Sequence, residues 1–110
     1  MLKKNHKNSS FIENLQTPAF LAKSLSDENR LRILLCISNR KKSVSAIVEE
    51  LQLSQPLISH HLKELKRSLL VTVERGGPFI YYEIADKRII DILKKLNMLA
   101  TDLLVQRKTF

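Results

Sequence analysis

Apolar positions along this chain fall first at helical spacing, then in two short β-prone runs, then at helical spacing again. Phe11, Ile12, Leu15, Phe20, Leu21 and Leu25 give an apolar side to one or two N-terminal helices around Pro18. From about Asp27 to Ser38, residues Leu31, Ile33, Leu34, Leu35 and Ile37 are apolar on more than one side, as in a central core helix. Val44, Ile47, Val48 and Leu51 follow Ser43, whose hydroxyl suits a helix N-cap, so a short amphipathic helix is predicted there. Gln52-Leu53-Ser54 leaves only a tight turn before the next periodic stretch. Ser54 is again a good N-cap, and Pro56 is tolerated because a first helical turn has no intrahelical donor to lose. Beyond it Ile58, Leu62 and Leu65 stand at i, i+4 and i+7 and make one stripe facing a core.

The runs Leu70 to Glu74 and Phe79 to Ile84 flank Arg75-Gly76-Gly77-Pro78, which predicts a β-hairpin. From Asp86 to about Arg107, Ile89, Leu93, Leu96, Ala100 and Leu103 recur at alternating steps of four and three, a seam suited to another helix. Ile92, Leu99 and Leu104 widen that seam. A helix-turn-helix over about 43–68 followed by a wing over about 69–84 is the order of a winged helix. The predicted fold is therefore mainly α (α+β): a winged helix-turn-helix with long N- and C-terminal dimerisation helices, the second over about 86–108. Residues 1–10 read as a flexible basic N-terminus and 11–110 as one domain. So broad an apolar face on the last helix, in a domain with little interior left, predicts a homodimer.

Gln55, Ser59, His60 and Lys63 project opposite the apolar stripe, a set of donors and acceptors fit for a major-groove floor and its phosphates. His60 lies toward that polar face. His61 abuts the stripe and reads as a packing residue. Adjacent helical positions diverge by about 100°, so the pair is a poor chelate for one ion. Nineteen Lys and Arg against eleven Asp and Glu give a net charge of +8, which suits an anionic partner. Arg40-Lys41-Lys42 precedes the Ser43 helix, where loop cations and a helix N-terminus favour the same phosphate. Lys3, Lys4 and Lys7 read as solvated charges of the basic N-terminus.

The longest apolar run is Ile33 to Ile37, so no membrane span or signal-peptide core is predicted, and the expected location is the cytoplasm. A single cysteine excludes an intrachain disulfide and fits a reducing compartment. Cys36 lies within Leu34-Leu35-Cys36-Ile37 and is expected to be a small buried core residue. No nucleophile–base pairing, phosphate loop or carboxylate pair stands out, so an enzyme is not expected.

Three segments together resemble the ArsR/SmtB winged-helix repressors. They are Leu25-Ser26-Asp27-Glu28-Asn29-Arg30-Leu31-Arg32-Ile33-Leu34, the Leu53 to Leu65 stretch with its Ser59-His60-His61-Leu62-Lys63, and Tyr81-Tyr82 at the close of the hairpin. The resemblance spans roughly residues 18 to 85. It implies repression by a homodimer on double-stranded DNA at an imperfect palindromic operator, with the two terminal helices forming the dimer interface. On that reading Gln55, Ser59 and His60 approach bases, Ser54 and Lys63 meet phosphates, Pro56 and Leu57 touch thymine methyls, and Arg75 lies at the wing tip.

The sequence also departs from the family. Members that bind soft metals or arsenite carry a Cys-x-Cys where this chain has Ser43 and Ser45, and hydroxyls are poor ligands for thiophilic ions. Members with a site on the C-terminal helix use Asp and His, yet no His follows His61 here, and Asp91 stands before Ile92-Leu93. Thiol-pair sensing needs two cysteines. No metal, no cofactor and an unknown inducer are therefore expected. Leu69 stands where a glycine often ends the recognition helix, which predicts a different helix termination. The wing lacks a cation beside Pro78, so the helix is expected to dominate recognition. A second reading is a winged helix used as a protein-interaction or assembly module.

Overall fold

The computed structural model describes residues 14–107. Phe11, Ile12 and the basic residues of 1–10 lie outside them. In chain order the elements are α1 (Gln16–Ser24), α2 (Glu28–Cys36), β1 (Lys42–Ser43), α3 (Val44–Leu51), α4 (Gln55–Arg67), β2 (Val71–Gly76), β3 (Phe79–Ile84) and α5 (Arg88–Val105). The fold is the predicted winged helix-turn-helix, although the N-terminal helix, expected to be long, runs for only nine residues from its N-cap at Leu15.

Local chemistry sets the boundaries. Asp27 stands outside α2 as its cap, its Oδ1 accepting from the Asn29 and Arg30 N–H groups at 2.9 and 3.1 Å. Asp86 does similar work before α5, accepting from the Arg88 N–H at 2.8 Å. Both helices are accordingly shorter than their apolar periodicity predicts. Ser43 and Ser54 cap as predicted, accepting from Ala46 N–H at 3.2 Å and Leu57 N–H at 3.4 Å.

The termination of α4 differs from the expectation drawn from Leu69. This leucine adopts the left-handed conformation, with φ +67°. Its N–H donates to Lys66 O at 3.0 Å, and that of Leu70 donates to Leu65 O at 2.9 Å. This is the Schellman pairing that glycine usually serves, here built with a branched residue. The helix thus ends in a glycine-type termination, at a conformational cost. The reversal also delivers Leu70 and Val71 into the core, 3% and 2% exposed.

β2 and β3 pair antiparallel from Val71↔Ile84 to Gly76↔Phe79, so the first strand runs two residues beyond the expected Glu74 and starts one after Leu70. Only Gly77 and Pro78 remain for the turn. Gly77 has φ +62°. Proline's fixed negative φ excludes a type I′ turn, so the pair suits type II′. A two-residue strand, β1, pairs with β3 through Lys42↔Tyr82 and Ser43↔Tyr81, giving a sheet of order β1-β3-β2. That strand was not legible in the sequence. It ties the wing to the start of the helix-turn-helix.

The core gathers Ile33, Leu34 and Ile37 of α2 and its end, Ile47 of α3, and Ile58, Leu62 and Leu65 of α4, all essentially inaccessible. Burying such a side chain contributes about 1.5–3 kcal/mol, so three of them fix α4 firmly against α2 and α3. Two expectations for α2 fail. Leu35 is 50% exposed, because it lies on the side turned from α3 and α4. Cys36 is only partly buried, at the margin of the core.

The predicted seam on α5 also divides. Leu93 is 7% exposed and Ile89 packs beside it on the subunit's own core, so these two do not belong to a free face. Leu96, Ala100 and Leu103 remain exposed, joined by Ile92 and Leu99. The reason is length: α5 docks on the core with its first turns only, and the remainder projects past it.

Candidate nucleic-acid interface

Among the described residues, the main polar face that could meet a nucleic acid is presented by α4 and the turn before it. Gln52 makes the turn in the left-handed conformation, φ +57°, and its side-chain Nε2 donates to Glu49 O at 2.7 Å. The chain then enters α4 at the Ser54 cap. Gln55, Pro56, His60 and Lys63 are exposed and Ser59 is half-buried, while Ile58, His61, Leu62 and Leu65 face inward. Gln55, Ser59 and Lys63 therefore line one outer stripe at steps of four, with Pro56 and His60 beside it.

Two of these side chains are already coupled. Gln55 Nε2 donates to Ser59 Oγ at 3.0 Å, which orients the carboxamide and leaves its oxygen for an outside donor. Among the described residues Lys63 has no ion-pair or hydrogen-bond partner that would hold it away from a phosphate. The His60 and His61 rings lie 5.6 Å apart and tilted by 58°, the first exposed and the second buried. His61 is a packing residue, as its place on the stripe predicted.

The wing is held from below. Lys41 Nζ reaches Glu74 Oε2 at 2.8 Å and lies 5.5 Å from the Tyr81 ring centroid. The Tyr81 ring covers Gly76 so closely that a Cβ there would meet its Cε2 at 2.8 Å. Arg75, predicted at the wing tip, is exposed and stands opposite Ile80 in the ladder. Lys42 is ion-paired with Glu50. Two of the three loop cations predicted to favour a phosphate are thus engaged by carboxylates, leaving Arg40 exposed beside them.

The positions of the missing thiols are occupied by working hydroxyls. Ser43 Oγ and Ser45 Oγ are 3.3 Å apart, and the first caps α3. Cys36 lies nearby, its Sγ donating to Glu50 Oε2 at 2.7 Å. Burial and then that hydrogen bond push the thiol up to about 11, against the pull of Lys42. A thiol so disposed is a weak nucleophile at neutral pH. Among the described residues no group of three or more His, Cys, Asp or Glu is placed to hold a metal ion. Likewise no helix among them is long and apolar enough to cross a membrane.

A capped helix-turn-helix with a polar outer face, a tied-down wing and an unfilled apolar helix beyond them define a winged-helix transcriptional regulator. The comparisons with known proteins then specify the family. The family model described as bacterial regulatory protein, arsR family, matches residues 27–73. The HTH-type transcriptional regulator MJ1325 of Methanocaldococcus jannaschii is 36% identical over 89 residues, covering 80% of this chain and 100% of that protein. The arsenical resistance operon repressor of Staphylococcus aureus is 36% identical over 81 residues, 74% of this chain and 78% of the repressor.

Solved structures agree. HlyU of Vibrio vulnificus, a transcriptional regulator, superposes with a TM-score of 0.72 at 31% identity, over 84% of this chain and 97% of that one. The homodimeric winged helix-turn-helix DNA-binding domain Mb0332 of Mycobacterium bovis does so with 0.73 at 26% identity, over 87% and 89%. This chain belongs to the ArsR family of DNA-binding transcriptional regulators.

Proposed function

We propose that the protein is a homodimeric repressor that reads an imperfect palindromic operator through α4, with Ser43 and Ser45 where a thiolate metal site would need cysteines. The observation that carries this reading is the division of α4 into a buried apolar face and an outer stripe of Gln55, Ser59 and Lys63, with Pro56 and His60 alongside. An amide oriented by Ser59 suits bidentate contact with adenine, and His60 suits a base edge beside it. Ser54 and Lys63 take phosphates, Pro56 meets a thymine methyl, and Arg75 extends the contact from the wing.

The dimer forms through α5 and α1. Leu96, Leu99 and Leu103 are each about half exposed, and Phe20 and Leu21 of α1 add to the uncovered apolar surface. A two-fold pair of recognition helices sets half-site centres about 10 bp apart, or a multiple of that. Repression follows from occupancy of a promoter, as the name of the staphylococcal relative supports. Action on DNA places the protein in the cytoplasm.

Selection of an operator from random duplex, followed by binding of two variants, tests this. Gln55→Ala should cost about 1–3 kcal/mol on the selected operator and little on random duplex, because a bidentate base contact carries the sequence information. Lys63→Ala should weaken both, and should make the slope of log affinity against log salt shallower by about one per subunit. Equal losses on operator and random DNA from Gln55→Ala would instead favour an interaction module.

A further inference from the structure

The buried face of α4 carries one polar side chain that readout does not use. His61 is 6% exposed. Its Nδ1 accepts a hydrogen bond from Arg30 Nε at 3.3 Å, and its Nε2 lies 3.7 Å from Asp27 Oδ1. Arg30 is itself anchored, Nη1 donating to Ser24 O at 3.3 Å at the end of α1. A guanidinium N–H aimed at Nδ1 requires a lone pair there, so the ring is neutral with its proton on Nε2, toward Asp27. A second proton would have to sit on Nδ1, setting N–H against N–H and cation against cation.

We propose that Arg30 is a positioning residue for sequence readout: through the neutral His61 ring it holds α4 in its seat on α2, and protonation of His61 loosens that seat and weakens operator binding. This deepens the reading of α4 as the recognition helix and rests on it. The charged groups facing His61 are Asp27 and Arg30 from α2 and His60 from its own helix, while α1 contributes the neutral Ser24. Burial depresses His61 below its ordinary 6.5, Asp27 opposes that, and Arg30 and His60 add to it.

The direction with pH follows from linkage. A released imidazole takes up its proton at the ordinary value, whereas the seated one resists. The seat is therefore fully held above pH about 6.5 and is lost progressively as pH falls below it.

The experiment measures affinity for the selected operator and for random duplex between pH 7.5 and 5.5 at constant ionic strength, in wild type and His61→Gln. A glutamine oxygen accepts from Arg30 at every pH. The ratio of His61→Gln to wild-type operator affinity should rise as the pH falls over this range, by at most about tenfold per subunit since one proton is linked in each, while the ratio on random duplex stays flat. Nitrogen-detected NMR of the wild type should show Nδ1 unprotonated at pH 7.5 and His61 titrating below 6.5. Arg30→Gln should move that titration upward.

A constant operator ratio, or a His61 that titrates at or above 6.5 with its proton on Nδ1, overturns the proposal, and the NMR result stands even if His61→Gln does not fold. Failure of the wild type to discriminate operator from random duplex at pH 7.5 would sink the recognition-helix reading and this inference with it. Discrimination without a pH-dependent ratio would sink this inference alone.

Discussion

Replacing Leu69 by glycine should stabilise the protein, and replacing it by alanine should not. Leu69 holds φ +67° at the end of α4 and is 80% exposed. An L side chain in that conformation costs about 1–2 kcal/mol. Glycine removes that cost but gives the unfolded chain more freedom to lose, worth about 0.5–1 kcal/mol. With about a fifth of the side chain covered, the burial forfeited is a few tenths of a kcal/mol at ~25 cal/mol per Å².

Leu69→Gly therefore gains about 0.5 kcal/mol over wild type, whereas Leu69→Ala keeps the strain, loses the same contacts and falls a few tenths below it. The comparison between the two variants is the sharper measurement, because both remove the leucine. They should differ by about 1 kcal/mol in urea unfolding. Both must be measured at one protein concentration, since the stability of a dimer depends on it. Operator affinity should not change, because Leu69 lies at the opposite end of α4 from Gln55. An alanine variant as stable as the glycine variant would refute the assignment of strain to this residue.

Leu96→Glu places a charge on the exposed face of α5 and should leave a folded chain with the mass of a monomer in light scattering, where wild type shows twice that mass. Because its thiol is pushed up to about 11, Cys36 should react with iodoacetamide at pH 8 about a hundredfold more slowly than an ordinary thiol of 9.0, with the rate still rising beyond pH 10. A rate equal to that of free cysteine would show the Glu50 contact to be absent. Glu74→Gln should free Lys41 from its ion pair, tighten binding to any duplex and steepen the salt slope by about one per subunit. An unchanged slope would mean that Lys41 does not reach the DNA.

Much of the fold was legible because three of the five described helices announce themselves twice. Ser43, Ser54 and Asp27 are capping residues that stand just before apolar periodicity, and all three cap in the structure. What escaped notice depends on contacts distant in sequence. Strand β1 has two residues and no periodicity of its own, and it exists because β3 offers a free edge to Lys42 and Ser43. Leu69 misled because its own preference argues against positive φ. The Schellman bonds and the burial of Leu70 and Val71 outweigh roughly 1–2 kcal/mol of strain. Leu93 looked like part of an interface because a heptad-like spacing does not say which helix, its own core or a partner's, fills the seam.

The candidate site was less evenly legible, and charge is the reason. A net +8 invites the assignment of every loop cation to phosphate, yet net charge and interface charge are different quantities. Lys42 is mostly covered, with its ammonium held between Glu50 and Cys36, so it serves the packing of α3 on α2 before it serves any ligand. Lys41 spends its charge on Glu74, but that pair is exposed, and exposed pairs are worth no more than about 1 kcal/mol, less than a phosphate contact can offer. Arg30, by contrast, is half-buried and drawn inward to His61 and Ser24. Among the described residues, the cations left to meet a phosphate on the recognition face are those not drawn into an ion pair, Lys63 foremost. That distinction depends on which glutamates the fold brings alongside, and Glu50 and Glu74 lie eight and thirty-three residues from the lysines they engage.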